Sequence, residues 1–300
     1  MNFSRLISII SRIHIEFPRV RYVVFSGGEP TLLKNDLLNA IKYLTNLGLG
    51  SRVVTNGGWA KSESITQKWI SRFSYAGLGE LNFSTGDEHQ VYVPFDYVAR
   101  AAYHSVNHGI LALIVVEGRQ NAGFNMSQLI RHPLIKKILT SPRLKRRLIL
   151  MKNVWMPFHK KTDILNNEVP FKYEGCNNLF DNLVITPYGE LSSCCGLTMN
   201  YIPEFRIGSV DENDLRSVYQ KQYYDLLKLW LWLDGPAYIF KELSKQPKFR
   251  LKIVSPHACA ICAQIYKNPS SRILVTQLIN KKIDEIIFRA SIKLKYRQLH

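Results

Sequence analysis

Between residues 22 and 151, five short apolar runs alternate with four helical patterns, and this alternation constrains the fold more than any other feature of the sequence. The runs are Tyr22–Ser26, Arg52–Thr55, Leu81–Ser84, Leu111–Val116 and Leu148–Met151, and the helical patterns lie at about 35–47, 63–75, 94–108 and 125–139. Buried parallel strands joined by crossover helices produce such a pattern. A further amphipathic helix is predicted at 4–16, ahead of the first strand. The sequence therefore predicts an α/β fold with a barrel-like sheet, and we expect one more strand, with its loop, before that helix.

The alternation ends after Met151. Residues 152–180 carry no regular pattern. Beyond them, the apolar segments Leu183–Thr186 and Leu191–Ser193 flank Pro187-Tyr188-Gly189, a sequence typical of a tight turn. A β-hairpin is predicted there.

A helix-rich stretch at 211–245, cysteines on a loop and a basic, partly amphipathic tail complete the chain. We place a domain boundary near 155–175. The predicted parts are a barrel domain at 1–155, a small cluster-binding module at 156–268 and a helical tail at 269–300. The tail is interpreted as a docking helix rather than a membrane anchor.

The chain is strongly basic, with 40 Lys and Arg against 23 Asp and Glu, a formal charge of +17. Such a charge favours acidic partners, although a merely basic, soluble surface would look the same. Nucleic acid is not an expected partner, because the sequence has no RNA-reading motif. No apolar stretch is long enough to cross a bilayer and no signal peptide is present, so we expect a cytoplasmic protein without a transmembrane segment.

Polar residues follow each of the first four predicted strands. They are Ser26-Gly27-Gly28-Glu29-Pro30, Thr55-Asn56-Gly57, Ser84-Thr85-Gly86-Asp87-Glu88-His89 and Glu117-Gly118-Arg119. Any one of these segments alone is most often an ordinary solvated loop. Four of them at the C-terminal ends of parallel strands favour one cleft that binds one polar ligand. In such a cleft Glu29 can accept hydrogen bonds from an ammonium group.

The first of these segments also carries a specific resemblance. Phe25-Ser26-Gly27-Gly28-Glu29-Pro30-Thr31-Leu32 resembles the Gly-Gly-Glu-Pro motif of radical S-adenosylmethionine (SAM) enzymes, which follows the second strand of their partial (β/α)6 barrel. Val53–Gly57 resembles their third strand, and Leu81–Ser84 with Asp87 and His89 resembles the fourth. The resemblance covers residues 1 to about 155 and implies a barrel of this type that lacks its first strand.

The resemblance also implies a site for SAM, with the Gly-Gly-Glu-Pro motif holding the amino group of the cofactor. The residues that match the family's SAM-binding positions are Gly27, Gly28, Glu29, Pro30, Asn56, Ser84 and Asp87. Glu117–Arg119 and Trp155–Pro157 fall where the fifth and sixth strands of the family complete this site. No catalytic side chain follows from the resemblance.

All five cysteines lie beyond residue 175, which favours a metal centre over a disulfide framework in a cytoplasmic chain. Cys176 and Cys194, with the Cys259-Ala260-Ile261-Cys262 pair, supply four thiolates for one zinc ion or one iron–sulfur cluster. Cys195 is a substitute for Cys194, since adjacent cysteines rarely both bind one metal. Ligand type does not decide between zinc and iron.

A second resemblance favours iron. Cys176, Gly189 and Cys194 resemble the opening of the SPASM/twitch auxiliary-cluster modules of radical SAM enzymes, and Cys259 with Cys262 resembles the closing Cys-x-x-Cys. The longer SPASM cysteine string is absent. The resemblance implies a twitch-type module that holds one auxiliary [4Fe–4S] cluster.

One element of the radical SAM pattern is missing. The family binds its SAM-cleaving cluster with a Cys-x-x-x-Cys-x-x-Cys loop after the first strand, whereas no cysteine precedes Cys176 here. We expect this loop upstream of Met1 in a longer protein, so that the radical SAM cluster is present only in the full-length form. The alternative is a non-catalytic relative that has lost the cluster. In either case we expect the chain as given not to cleave SAM.

The resemblances imply a radical SAM enzyme that generates a 5′-deoxyadenosyl radical to modify a substrate, with a peptide or protein as the favoured class. An acidic substrate fits the basic surface, and an electron donor such as flavodoxin or ferredoxin is an expected partner. An iron–sulfur- or zinc-binding interaction protein derived from this fold is the alternative. A basic nucleic-acid-binding protein is a third reading, which no basic and aromatic stacking surface supports.

Overall fold

The computed structural model of the chain describes residues 1–118, 122–154, 173–195, 202–247, 249–253 and 257–299. The chain divides into two units, each with its own apolar core. We call Asn2–Trp155 the sheet unit and Met156–His300 the cysteine unit.

Strands and helices alternate through the sheet unit. In chain order its elements are α1 (Phe3–Glu16), β1 (Tyr22–Phe25), α2 (Asn35–Asn46), β2 (Gly50–Thr55), α3 (Glu63–Ala76), β3 (Glu80–Gly86), α4 (Asp87–Gln90), α5 (Phe95–Asn107), β4 (Leu111–Gly118), α6 (Met126–Arg131), α7 (Pro133–Thr140), α8 (Pro142–Lys145) and β5 (Leu148–Val154). A short 3-10 helix, Pro30–Leu33, follows β1. The five predicted strands are confirmed, with bounds that differ by a few residues.

One predicted helix is wrong as a single element. The pattern at 125–139 forms two helices, α6 and α7, that meet at His132. His132 has extended backbone angles, φ −60° and ψ 132°, because the ring of Pro133 disfavours a helical conformation at the residue before it. Pro133 then occupies the first turn of α7, where it needs no amide hydrogen.

The five strands form one parallel sheet in the sequential order β1-β2-β3-β4-β5. Each pair is in regular register; Val53, for example, lies between Phe25 and Leu81. Helical crossovers of the same kind between successive strands produce this order, because each strand is added beside the one before it. The parallel α/β sheet predicted from the sequence is therefore confirmed.

Helices cover one face of this sheet. Leu37 and Ile41 on α2, and Ile70 and Phe73 on α3, recur at helical spacing and are fully buried. Burial alternates along the strands, so that in β2 every second residue is buried and its neighbours are half-buried. The strands thus present one fully packed face and one less covered face.

The cysteine unit combines a small antiparallel sheet with helices. Its elements are β6 (Val184–Ile185), β7 (Glu190–Ser192), β8 (Arg206–Ser209), α9 (Leu215–Gln220), α10 (Leu226–Ser244), α11 (Ala258–Lys267), α12 (Pro269–Lys281) and α13 (Ile283–Leu299). β6 and β7 form the predicted hairpin, and β8 adds an unpredicted third strand beside β7. Within the described residues, no helix is long and apolar enough to cross a membrane.

The C-terminal tail packs into the core of its own unit. α12 and α13 contact α10, and Ile286 and Ala290 on α13 are only 1% and 2% exposed. The apolar residues of the tail therefore pack against α10 of the same unit, a contact that the basic composition of the tail does not predict. The cysteine pair was also placed wrongly: Cys259 and Cys262 lie in the first turns of α11 and not on a loop.

Candidate functional site

The polar segments that follow the strands lie along one edge of the parallel sheet. The registers that define this edge are Thr55 beside Phe83, Gly86 beside Glu117, and Gly118 beside Val154. Because all five strands point the same way, their C-terminal ends meet at this edge. The segments containing Glu29, Asn56, Ser84, Asp87 and Glu117 are thereby brought to one side of the sheet unit.

Glu29 holds two loops together through its carboxylate. Its Oε1 atom accepts hydrogen bonds from the backbone N–H and hydroxyl of Thr31, at 3.2 and 2.7 Å, and from the Thr55 hydroxyl at 2.8 Å. Its Oε2 atom accepts from the Asn56 backbone N–H at 3.0 Å. Four donors from the chain itself leave this carboxylate little capacity for a ligand ammonium group, so Glu29 positions the edge rather than projecting from it.

The two glycines before Glu29, by contrast, leave their backbone N–H and C=O groups accessible to a ligand. Gly27 and Gly28 have left-handed φ values of +87° and +52°, and a Cβ atom added to either would meet nothing within 4 Å. Both are exposed, whereas Pro30 is buried in the following 3-10 helix. Peptide groups without a covering side chain can approach a ligand closely.

Asp87 is likewise used within the chain. Its Oδ2 and Oδ1 atoms accept hydrogen bonds from the backbone N–H groups of Gly123 and Phe124, at 2.8 and 2.7 Å. The carboxylate therefore ties the loop after β4 to the end of β3. Ser84, by contrast, is half-buried within β3, and the Asn56 amide oxygen accepts from the Gly58 N–H at 2.8 Å.

His89 and Glu117 form a half-buried pair at the same edge. The His89 Nδ1 and Glu117 Oε2 atoms lie 3.7 Å apart, beyond hydrogen-bond distance. Burial lowers the pKa of His89, against the opposing effect of Glu88, and burial raises the pKa of Glu117, so desolvation favours the neutral form of each. Of the other residues implied for this edge, Arg119 and Trp155–Pro157 lie outside the described residues.

The cysteines of the second unit come from three separate places in the chain. Cys176 precedes the small sheet, Cys194 and Cys195 follow β7, and Cys259 and Cys262 lie on α11. Cys194 and Cys262 are buried, Cys176 and Cys259 are half-buried, and Cys195 is exposed. Among the described residues, no three Cys, His, Asp or Glu side chains surround a single point closely enough to hold one metal ion.

The thiols nevertheless interact electrostatically. Burial, followed by the neighbouring Cys194, Cys176 and Cys195, raises the pKa of Cys259 to about 12. Burial and then Cys194, Cys259 and Cys176 raise the pKa of Cys262 well above its usual value. Ionising several such thiols together costs free energy unless a cation compensates the charge. Their donor chemistry and mutual proximity fit an iron–sulfur cluster bound by Cys176, Cys194, Cys259 and Cys262.

The N-terminus of α11 orders the Cys-x-x-Cys pair. The ring Nδ1 atom of His257 caps the helix by accepting a hydrogen bond from the Cys259 N–H at 3.1 Å. Burial lowers the pKa of His257, which favours the neutral ring that can accept this bond. The spacing of three residues then places Cys259 and Cys262 on the same side of the helix.

A kink in α10 positions Cys176. Gly235 has a φ of +74° inside the helix and is followed by Pro236. A Cβ atom on Gly235 would lie 1.9 Å from the carbonyl oxygen of Glu174, and one on Gly175 would lie 2.0 Å from that of Trp232. The segment before Cys176 can therefore approach α10 this closely only because both glycines lack side chains.

α13 contributes residues to this site that the sequence did not predict. Lys293 donates a hydrogen bond to the Trp232 carbonyl oxygen at 2.8 Å, lies 4.2 Å from the centre of the Trp232 ring and interacts with Cys176. Arg289 binds both carboxylate oxygens of Asp234, at 3.0 and 2.5 Å. No periodicity in the tail marks these contacts, since each joins residues more than 50 positions apart.

Comparison with known families supports the iron–sulfur interpretation. Residues 176–263 match the SPASM family, described as an iron–sulfur cluster-binding domain. The matched segment begins at Cys176, ends one residue after Cys262 and contains all five cysteines. The chain therefore carries an auxiliary iron–sulfur cluster-binding module of the SPASM/twitch kind, which is typical of radical SAM enzymes. The cysteine-based prediction is confirmed at this level, while the individual ligands and the [4Fe–4S] type stay predictions.

Proposed function

We propose that this chain supplies the SAM-binding sheet and the auxiliary-cluster module of a radical SAM enzyme that modifies a peptide or protein. The sheet unit would be the partial (β/α)6 barrel of that enzyme, with its first strand and its Cys-x-x-x-Cys-x-x-Cys loop in a longer form of the protein. The single observation that carries the proposal is the match of residues 176–263 to the SPASM family. The same chain contains a five-stranded parallel sheet of the kind that the proposal requires.

The residues of the sheet edge have distinct tasks in this proposal. The exposed peptide groups of Gly27 and Gly28 bind the amino acid part of SAM, and Asn56 and Ser84 face the cofactor from the next two strands. Glu29 and Asp87 hold the loops in place through the hydrogen bonds described above. SAM, when cleaved reductively, supplies a radical that abstracts hydrogen from the substrate.

The cysteine unit would hold the auxiliary cluster with Cys176, Cys194, Cys259 and Cys262. When bound, the cluster supplies a one-electron redox centre or an iron that contacts substrate. The exposed Cys195 would then remain outside the ligand set. Lys293 adds a positive charge beside Cys176, which offsets part of the negative charge of the thiolates.

The charge of the chain supports an acidic substrate. The net charge of +17 attracts an acidic peptide or an acidic electron-donor protein such as a flavodoxin or ferredoxin. On the sheet unit, a cleft is lined by Lys34, Asn35, Ile65, Lys68, Trp69 and Arg72, and the Arg72 guanidinium lies over the Trp69 ring. Such a surface fits an acidic segment better than a neutral one.

Anaerobic reconstitution of the chain with iron and sulfide tests the proposal. We expect about four iron and four sulfide per chain, with visible charge-transfer absorption. Cys262→Ser should lose most of the iron because it removes a buried ligand, whereas Cys195→Ser should retain it and serves as the matched control. Binding of zinc without sulfide, or equal loss in both variants, would contradict the assignment.

SAM binding by the reconstituted protein separates the enzyme from its alternative. We expect saturable SAM binding, measured by equilibrium dialysis, even though the 300-residue chain should form no 5′-deoxyadenosine by itself. A protein that holds a complete auxiliary cluster but binds no SAM would contradict SAM binding by the sheet edge of this chain and favour the non-catalytic alternative.

A further inference from the structure

Tyr266 is a buried tyrosine with an unused hydroxyl beside the cysteine site. It lies on α11, four residues after Cys262 and seven after Cys259, and is only 3% exposed. Its hydroxyl is inaccessible to solvent and has no hydrogen-bond partner among the described residues. Buried hydroxyl groups in folded proteins are almost always paired, because an unpaired one loses its hydration without compensation.

The helix geometry directs this side chain toward the cysteines. Residues four apart on a helix share one face, and long side chains lean back toward the helix N-terminus. The ring of Tyr266 therefore extends over the turn that carries Cys262. In agreement, burial and then Cys262 raise the pKa of Tyr266 most, ahead of Glu204 and Asp225. A tyrosine hydroxyl carries its proton at neutral pH and can therefore donate.

One other acceptor competes for this proton. The Oε2 atom of Glu204 is also buried and without a partner among the described residues. In this structure the Tyr266 hydroxyl donates to neither Glu204 nor Cys262, but the Glu204 carboxylate already pairs with Arg272 through Oε1. When the cysteines bind a cluster, their thiolate sulfurs and the sulfides of the cluster become hydrogen-bond acceptors near Cys262.

We propose that the Tyr266 hydroxyl donates a hydrogen bond to sulfur at the cluster, either the Cys262 thiolate or an adjacent sulfide, and so raises the reduction potential of the cluster. The inference rests on the proposed iron–sulfur function of this unit. A hydrogen bond to sulfur stabilises the reduced, more negative state more than the oxidised state. Tyr266 is thus a residue that tunes the cluster and not one of its ligands.

The experiment is a redox titration of the reconstituted chain, followed by electron paramagnetic resonance, with the Tyr266→Phe variant. Iron and sulfide are measured first, and we expect the same content in wild type and variant. The midpoint potential of Tyr266→Phe should shift to a more negative value. Tyr219→Phe is the matched control, because it removes a tyrosine hydroxyl in the same unit whose environment includes no cysteine, and its potential should equal that of wild type.

A second measurement detects the proposed proton directly. Electron–nuclear double resonance of the reduced wild-type cluster, in H2O and in D2O with ring-deuterated tyrosine, should detect an exchangeable proton coupled to the cluster that Tyr266→Phe lacks. An unchanged potential in an iron-replete Tyr266→Phe, or no such proton in wild type, overturns the proposal and favours Glu204 as the acceptor. Wild type that binds no iron and sulfide would instead overturn the proposed function, and this inference with it.

Discussion

At the scale of single residues, the sheet edge contains two kinds of polar group: side chains that form hydrogen bonds within the protein, and backbone groups that are accessible to a ligand. The Glu29 carboxylate accepts four hydrogen bonds from Thr31, Thr55 and Asn56, so donors of the chain itself occupy most of its acceptor sites. Gly27 and Gly28 expose peptide groups with no side chain above them. Recognition of a ligand at this loop therefore falls to backbone atoms.

Gly28→Ala should weaken SAM binding while Gly48→Ala does not. Both glycines have left-handed φ values, +52° and +71°, and open space around a Cβ atom, so both variants carry similar backbone strain. Only Gly28 lies at the sheet edge, where a methyl group blocks the approach of a ligand. Loss of one backbone hydrogen bond, about 1 kcal/mol, corresponds to about fivefold weaker binding. Equilibrium dialysis measures both dissociation constants, and equal weakening would contradict the backbone role.

At the scale of elements, the kink in α10 is a structural requirement of the cysteine site. The kink brings Leu231 and Gly235 against the segment of Cys176, whose backbone N–H donates to the Leu231 carbonyl oxygen at 2.8 Å. The Glu174 carbonyl oxygen lies against Gly235, 1.9 Å from the position that a Cβ atom would occupy there. The helix therefore sets the position of Cys176 although it carries no cysteine itself.

Gly235→Ala should destabilise the protein and reduce its iron content. An alanine at φ +74° and ψ 170°, a region that essentially only glycine occupies, costs about 1–3 kcal/mol, and the clash with the Glu174 oxygen adds to this and displaces Cys176. Gly109→Ala is the control, since Gly109 has a similar φ of +85° but nothing within 4 Å of a Cβ atom. Urea unfolding and iron analysis measure the two effects. If Gly235→Ala retained full iron and matched Gly109→Ala in stability, the kink would not position the ligand.

At the scale of the whole molecule, two separate cores predict two different responses to loss of iron. The core of the sheet unit is built from strands and crossover helices, whereas the core of the cysteine unit includes Cys194 and Cys262 themselves. Metal binding to such thiols contributes directly to the stability of the fold around them.

Removal of iron by a chelator should therefore increase amide hydrogen exchange in one unit only. We expect faster exchange in α11 and in the β6–β7 hairpin. The cysteines on and beside these segments interact with one another, and loss of iron removes the iron–thiolate bonds that would link them. β2, β3 and β4 should exchange as before. Mass spectrometry of both states measures the difference. Faster exchange in those strands, or no change in α11, would contradict a local structural role for the cluster.

Much of the sheet unit could be predicted because hydrophobic periodicity is a property of neighbouring residues. The five strands, the helices between them and the hairpin at Pro187–Gly189 all follow from such local patterns. The wrong predictions have equally local causes: Pro133 disfavours a helical conformation at His132, and β8 contains only one large apolar residue, Ile207, and so shows no alternation. The cysteine pair was placed on a loop because a helical first turn has no strong sequence signal of its own.

The sequence by itself determined the parallel α/β sheet, the polar edge and the set of cysteines from which the iron–sulfur module was predicted. Only the tertiary structure decided how those groups are used. In the tertiary structure, the Glu29 carboxylate holds two loops together through hydrogen bonds, and the segment before Cys176 packs against α10. Lys293 and Tyr266 interact with Cys176 and Cys262 respectively. The physical reason is that hydrogen bonds, burial and charge interactions depend on which distant parts of the chain meet, and no local pattern records that.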